Sequence, residues 1–261
     1  VIITGYYMAF GAYNLWKGLK LWFKVLFYSV SIWVILLLLG YIKPTLGGGL
    51  DAIFPILRKE YWFFTIYMML YLLIPFLNEA IRNMSKKKLG YLVGIILCAF
   101  YIEPIFSIIF YQYDETEGFS LTAFVTLYII GAYLAQCSDI SKKRCAMLLV
   151  GSSGLIFSSK IVLQAIATHR KLNIGTGLLY HNNSIFVLLN AVALFLLFKQ
   201  LEIHPFLKKI TNWCTPSVFA VYLVHEKPIV RQLLWNHRIL VYLENCGFIL
   251  YMVTIVGISI G

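Results

Sequence analysis

The sequence predicts an all-α fold, a polytopic bundle of transmembrane helices. Three observations lead there. Hydrophobic residues make up 61% of the 261 and mean hydropathy is +0.81, whereas soluble domains are nearer half apolar. The apolar residues come in runs close to the ~20 that a helix needs to cross the hydrocarbon core. No barrel-like alternation is visible, and lipid satisfies no backbone groups, so helices are the solution left.

The runs fall at 1–13, 21–42, 61–80, 89–110, 119–137, 146–167, 178–200, 213–235 and 247–261, which makes nine spans, seven whole and two partial. The first starts at Val1 without a Met and the last stops at Gly261 inside apolar sequence, so the chain reads as clipped at both ends. Lys17, Lys20 and Lys24, at the start of the second, are read as marking a basic loop. After it, Gly47-Gly48-Gly49 lacks the Lys-Ser/Thr and strand context of a phosphate loop and reads as a flexible turn.

The third span is the most informative. From Tyr61 to Asn78 it carries no charge but many aromatics, beginning Tyr61-Trp62-Phe63-Phe64. Tyr67, Tyr71 and Pro75 recur every four residues and share one helical face. Hydroxyls lined up in a bilayer read as a polar lining, and plain helix packing is the bland alternative. Trp62 doubles as an interface-belt aromatic.

The fourth span contains Glu103 and the sixth Lys160, both toward their outer ends. They either snorkel or form an ion pair. The fifth follows the acidic loop of Asp114, Glu115 and Glu117. The seventh opens with His181-Asn182-Asn183-Ser184, where Asn or Ser starts the helix and His181 is either an outer cap or a ligand. The eighth holds His225, roughly twelve residues into its run, with Glu226, Lys227 and the helix-weakening Pro228 behind it. His225 is either an interfacial helix-end residue or a cavity-lining one that orients or protonates a substrate.

Charge sets the orientation. Lys17, Lys20 and Lys24, then Arg82 with Lys86 to Lys88, then Lys142 to Arg144, then Lys199, Lys208 and Lys209 mark alternate, cytoplasmic loops. Arg170-Lys171 and His237-Arg238 fall in outside loops as exceptions. The net charge of +11 therefore reads as this excess and not as nucleic-acid binding. The five cysteines fit no metal or redox spacing, and no Asp/His/Cys cluster has metal-ligand spacing. No internal repeat is visible.

Three stretches together resemble the bacterial integral-membrane acyltransferase-3 family, the surface-polysaccharide O-acyltransferases. Thr4-Gly5-Tyr6 is similar to the end of that family's second span. Trp62 precedes Tyr71 by nine and Pro75 by thirteen, as in the family's aromatic span. Val218-Phe219-Ala220-Val221-Tyr222-Leu223-Val224-His225 resembles its late span, with Ala220 where Gly is usual. Tyr67 stands where many relatives place a Glu. The resemblance covers the whole chain as one domain, 1–261. It implies ten spans, with the absent first one carrying the catalytic His.

The resemblance implies an O-acyltransferase of the bacterial cytoplasmic membrane. It would move an acyl group, acetyl foremost, from acyl-CoA to a sugar hydroxyl of an exopolysaccharide, capsule or O-antigen. Acyl-CoA enters as co-substrate, with no bound cofactor. His225, Tyr67 and Glu226 are the expected catalytic residues, with His225 and Tyr222 on the acceptor side and the primary base being the His of the absent first span. Trp62, Tyr71, Tyr222, His181, Asn183 and Glu103 are the expected substrate contacts. Lys17, Lys20 and Lys24 would attract the donor's phosphates. A transporter of lipid-linked or polymeric sugar, or a non-catalytic partner in envelope assembly, would use the same aromatic lining without chemistry.

Overall fold

The computed structural model describes residues 1–56, 61–102, 119–137, 140–170, 181, 182 and 184–235. All regular structure among them is helical: α1 (Ile2–Met8), α2 (Leu15–Leu38), α3 (Leu46–Ile53), α4 (Trp62–Arg82), α5 (Lys86–Leu97, running on as a wide turn through Cys98–Ile102), α6 (Leu121–Ala135), α7 (Lys142–Arg170), α8 (Ile185–Lys199), α9 (Pro205–Glu226) and α10 (Pro228–Trp235). The all-α membrane fold stands.

Polar side chains start the helices where lipid offers no partner for the first N–H groups. Asn14 accepts from Trp16 N for α2, Thr45 from Gly48 N for α3, Ser85 from Lys88 N for α5, and Ser120 from Ala123 N for α6. Ser184 and His204 do the same for α8 and α9.

Several boundaries differ from the apolar runs. Among the described residues, α2, α4 and the Lys142–Ile166 part of α7 are long and apolar enough to cross a membrane. α6, α8 and the Ser217–Glu226 part of α9 are apolar but shorter. Lys17, Lys20 and Lys24 do not lie in a loop: Asn14 caps the helix ahead of them, so all three ride on α2. Gly47-Gly48-Gly49 is not a flexible turn. Thr45 caps it into α3, and Trp33 lies against Gly48, where a Cβ would sit only 3.0 Å from its Nε1. α9 starts eight residues before the run at 213, because His204 and Pro205 supply a cap and a first residue. The run at 247–261 and the acidic loop lie outside the described residues.

The chain divides into two compact units, and the division falls within α4, after Thr65. The first comprises Val1–Tyr13 and Ile66–Glu202. There α1 and α6 approach through glycine: a Cβ on Gly5 would fall on the Tyr128 carbonyl, and one on Gly131 on the Ile2 carbonyl. Ile2, Val93, Tyr101, Ile130 and Leu188 form its buried core. α7 and α8 are linked by Asn190 Nδ2 donating to Ser153 Oγ at 2.8 Å and Gln200 Nε2 to the Ile140 carbonyl at 3.0 Å. Gly90 at the start of α5 meets Tyr133 at the end of α6. The helix ends bearing Arg82, Lys86 to Lys88, Lys142 to Arg144 and Lys199 therefore collect at one end of this unit, as charge alternation requires.

The second unit comprises Asn14–Thr65 and the chain from Ile203. In it α9 runs alongside α2 in the same direction: Lys24 Nζ lies 6.0 Å over the Phe219 ring, and Lys227 reaches Ser29. α2 ends at Gly40, whose φ of 74° is left-handed. Tyr41 N bonds back to Leu36 O and Gly40 N to Leu37 O, both at 3.0 Å, which closes the helix end.

Candidate functional site

The second unit gathers polar and aromatic groups where the start of α4 meets the end of α9. Tyr61 and Phe64 are buried. Thr65 Oγ1 donates to the Ile56 carbonyl at 3.3 Å and ties the helix start to the preceding chain. From α9, Tyr222 places its ring 6.4 Å from Tyr61, 6.1 Å from Phe63 and 6.0 Å from Phe219, on which it stacks. Phe64 and Phe219 meet at 6.1 Å. Three residues on, and so on the same helical face, stands His225. Tyr61 Oη, Tyr222 Oη and His225 Nε2 are all shut off from the surface. The Tyr222 hydroxyl lies against the Phe64 backbone.

His225 is the penultimate residue of the 22-residue α9. At helical rise it stands ~30 Å from Pro205. Glu226, last in α9, meets Arg231 of α10 at 3.6 Å on a partly exposed surface. Trp62 is 37% exposed and packs edge-on against Phe63 at 5.8 Å, on the rim of the cluster.

Lys17, Lys20 and Lys24 are exposed and share one face of α2 at three- and four-residue spacing. Lys24 alone of the three is seen against the cluster, over Phe219. Phe219 in turn stacks on Tyr222, so a basic approach and an aromatic, hydroxyl-bearing wall adjoin.

The first unit holds the remaining described candidates. Tyr71 is buried, 5.2 Å from the Tyr13 ring and 6.4 Å from Tyr67 on its own helix. The shared face of Tyr67 and Tyr71 is therefore real. A second network lies further along α4. Asn78 binds the carbonyl of Met8, the last residue of α1, Arg82 binds those of Ala9 and Gly11 just after it, and Tyr128 of α6 donates to Asn78. His181 is half-buried and its carbonyl accepts from Ser184 N at 2.9 Å, while Ser184 caps α8. Asn183 and Glu103 lie outside the described residues, and with Glu103 the proposed partner of Lys160.

The structure thus brings Tyr222, His225 and Glu226 together with Trp62 on the rim, and pairs Tyr67 with Tyr71. It adds Tyr61, Phe219, Ser29 and Lys227 to the first group. Lys227 before Pro228 was a readable signal, because that residue is steered out of helical backbone.

Chemically, an imidazole whose Nε2 is shut off from the surface, one helical turn from a tyrosine walled by aromatic rings, suits a substrate with hydroxyls and an apolar face. The fold is that of an all-α membrane protein carrying polar groups at buried depth. The whole chain, residues 1–261, matches the acyltransferase-3 family model, described as an acyltransferase domain. The chain belongs to this family and is a membrane acyltransferase. No curated protein and no solved structure matches it.

Proposed function

We propose that this acyltransferase moves an acyl group, acetyl foremost, from acyl-CoA to a sugar hydroxyl of a surface polysaccharide or lipid-linked sugar, as a multi-pass protein of the bacterial cytoplasmic membrane. The observation that carries the reading is the ring cluster of Tyr61, Phe63 and Phe219 around Tyr222, with His225 one turn on along the same helical face. Aromatic rings fit the apolar faces of a sugar. The imidazole and phenol groups fit its hydroxyls, with His225 orienting the attacking hydroxyl on the acceptor side. Lys17, Lys20 and Lys24 draw in the donor's phosphates. The acceptor oxygen attacks the thioester carbonyl, the C–S bond breaks, and the proton leaves with the thiol.

The test uses the natural protein in membranes, supplied with radiolabelled acetyl-CoA and the polysaccharide of its host. Label entering the polysaccharide in base-labile form supports the reading, as does its loss in His225→Ala at unchanged protein level. Normal acylation in His225→Ala removes His225 from the site. Polysaccharide movement across the membrane with no label incorporated identifies a transporter instead.

A further inference from the structure

We infer that Lys227 is a positioning residue for His225, held in place by Ser29; the assignment rests on the transfer reaction proposed above. The argument starts at Pro228. Its ring disfavours helical backbone at the preceding residue, and Lys227 accordingly has φ −57° and ψ 121°. α9 stops there and α10 begins, with the Lys227 carbonyl accepting from Arg231 N at 2.8 Å. Lys227 is therefore the joint between the two helices.

The joint is anchored. The Lys227 side chain is only 3% exposed and Ser29 on α2 is 0% exposed. Nζ donates to Ser29 Oγ at 3.0 Å across 198 residues of sequence. Lysine is rarely buried so fully, and withdrawing an ammonium from water is costly where an unbranched apolar side chain of similar length would not be. A lysine is thus a costly choice at this place, and its bond to Ser29 fixes where α9 meets α2.

What that bond supplies is position. His225 lies two residues before the joint. Glu226, between them, meets Arg231 at 3.6 Å. Lys227 fixes the joint to α2 and Glu226 fixes it to α10, so the last turn of α9 is held in height and rotation. That turn presents His225, one turn beyond Tyr222, to the site. Transfer chemistry is sensitive to such placement, since a 1 Å error costs on the order of 100-fold in rate.

The experiment measures steady-state acyl transfer by the natural protein reconstituted in lipid, for Lys227→Met, Lys227→Arg, Ser29→Ala and the double variant Ser29→Ala/Lys227→Met. Loss of placement predicts kcat down about 30- to 100-fold in Lys227→Met and Ser29→Ala, with KM for acetyl-CoA unchanged within about twofold. The double variant is no worse than the worse single one, because both break the same tether. Lys227→Arg regains part of the rate. Lys227→Met loses this rate at assay temperatures well below its own melting temperature, where the protein stays folded. Unchanged kcat overturns the assignment, as do losses that multiply in the double variant or a kcat loss that tracks a lowered melting temperature. A wild-type protein that transfers no acyl group overturns the proposed function and this assignment together. Active wild type with unimpaired variants overturns the assignment alone.

Discussion

The hydroxyl of Tyr128 donates to Oδ1 of Asn78 across 2.6 Å, and Nδ2 of the same Asn78 donates to the Met8 carbonyl at 2.9 Å. One buried amide therefore joins α6 to the end of α1. Arg82, one turn later on α4, takes the carbonyls of Ala9 at 3.1 Å and Gly11 at 2.6 Å. The last carbonyls of a helix have no partner within it, and in an apolar setting side chains must supply one. This is why α1 can end at Met8 although the apolar run continues to Tyr13.

Replacing Asn78 by Leu removes both links and strands the Tyr128 hydroxyl, at about 1–3 kcal/mol. Tyr128→Phe strands Oδ1 instead. The double variant recovers part of the loss, since the stranded groups have gone together. Thermal unfolding in lipid nanodiscs reads all three; a wild-type melting temperature in Asn78→Leu would sink the idea.

The glycine contacts make a paired prediction. Gly131→Ala places a methyl on the Ile2 carbonyl, while the Cβ of Gly151→Ala, also helical, meets open space. The first change destabilises by about 1–3 kcal/mol through overpacking. The second is neutral or stabilising by up to about 1 kcal/mol, because Ala favours helix over Gly. Equal shifts in melting temperature would show that α1 and α6 do not meet at Gly131.

These contacts mark where sequence reading stops. The spans at α2 and α4 were legible because apolar length alone dictates a helix in lipid. So was the common face of Tyr67 and Tyr71, which needs only helical periodicity. Helix starts were less legible: a single cap such as Thr45 turned a glycine run into α3, and His204 with Pro205 extended α9 backward past two lysines. The pairings of Asn78 with Tyr128 and of Ser29 with Lys227 were invisible, because no local pattern links residues 50 and 198 positions apart. Asn78 and Arg82 did leave a trace, as polar residues four apart closing an apolar helix.

Gly40 ends α2 with φ 74°. Gly40→Ala forces a Cβ into left-handed backbone at a cost of about 1–2 kcal/mol, and Gly40→Asn is milder because Asn tolerates that region. Denaturant or thermal midpoints in the order Gly, Asn, Ala check this; an Ala variant as stable as wild type refutes it.

Neutralising Lys17, Lys20 and Lys24 together to Gln should raise the acyl-CoA KM about tenfold at low salt and far less at high salt, since exposed charges are screened. kcat stays near wild type. A KM indifferent to both mutation and salt would assign these lysines to something other than the donor.

Tyr222 and Trp62 should separate chemistry from binding. Tyr222→Phe, which keeps the stacked ring and removes the hydroxyl, lowers kcat about tenfold or more. Trp62→Ala, at the rim, raises the acceptor KM and leaves kcat nearly intact. The reverse pattern would move the reacting centre from α9 toward the rim.

α8 has a consequence for the lipid around it. Its 15 residues rise only ~22 Å, against ~30 Å for a bilayer's hydrocarbon core. Leu194 and Phe198 on it are exposed. Lipid wetting that flank meets a hydrophobic mismatch of several ångströms and relieves it by thinning. Where lipid reaches α8, such thinning would make the barrier between the two aqueous phases shorter than in the surrounding membrane.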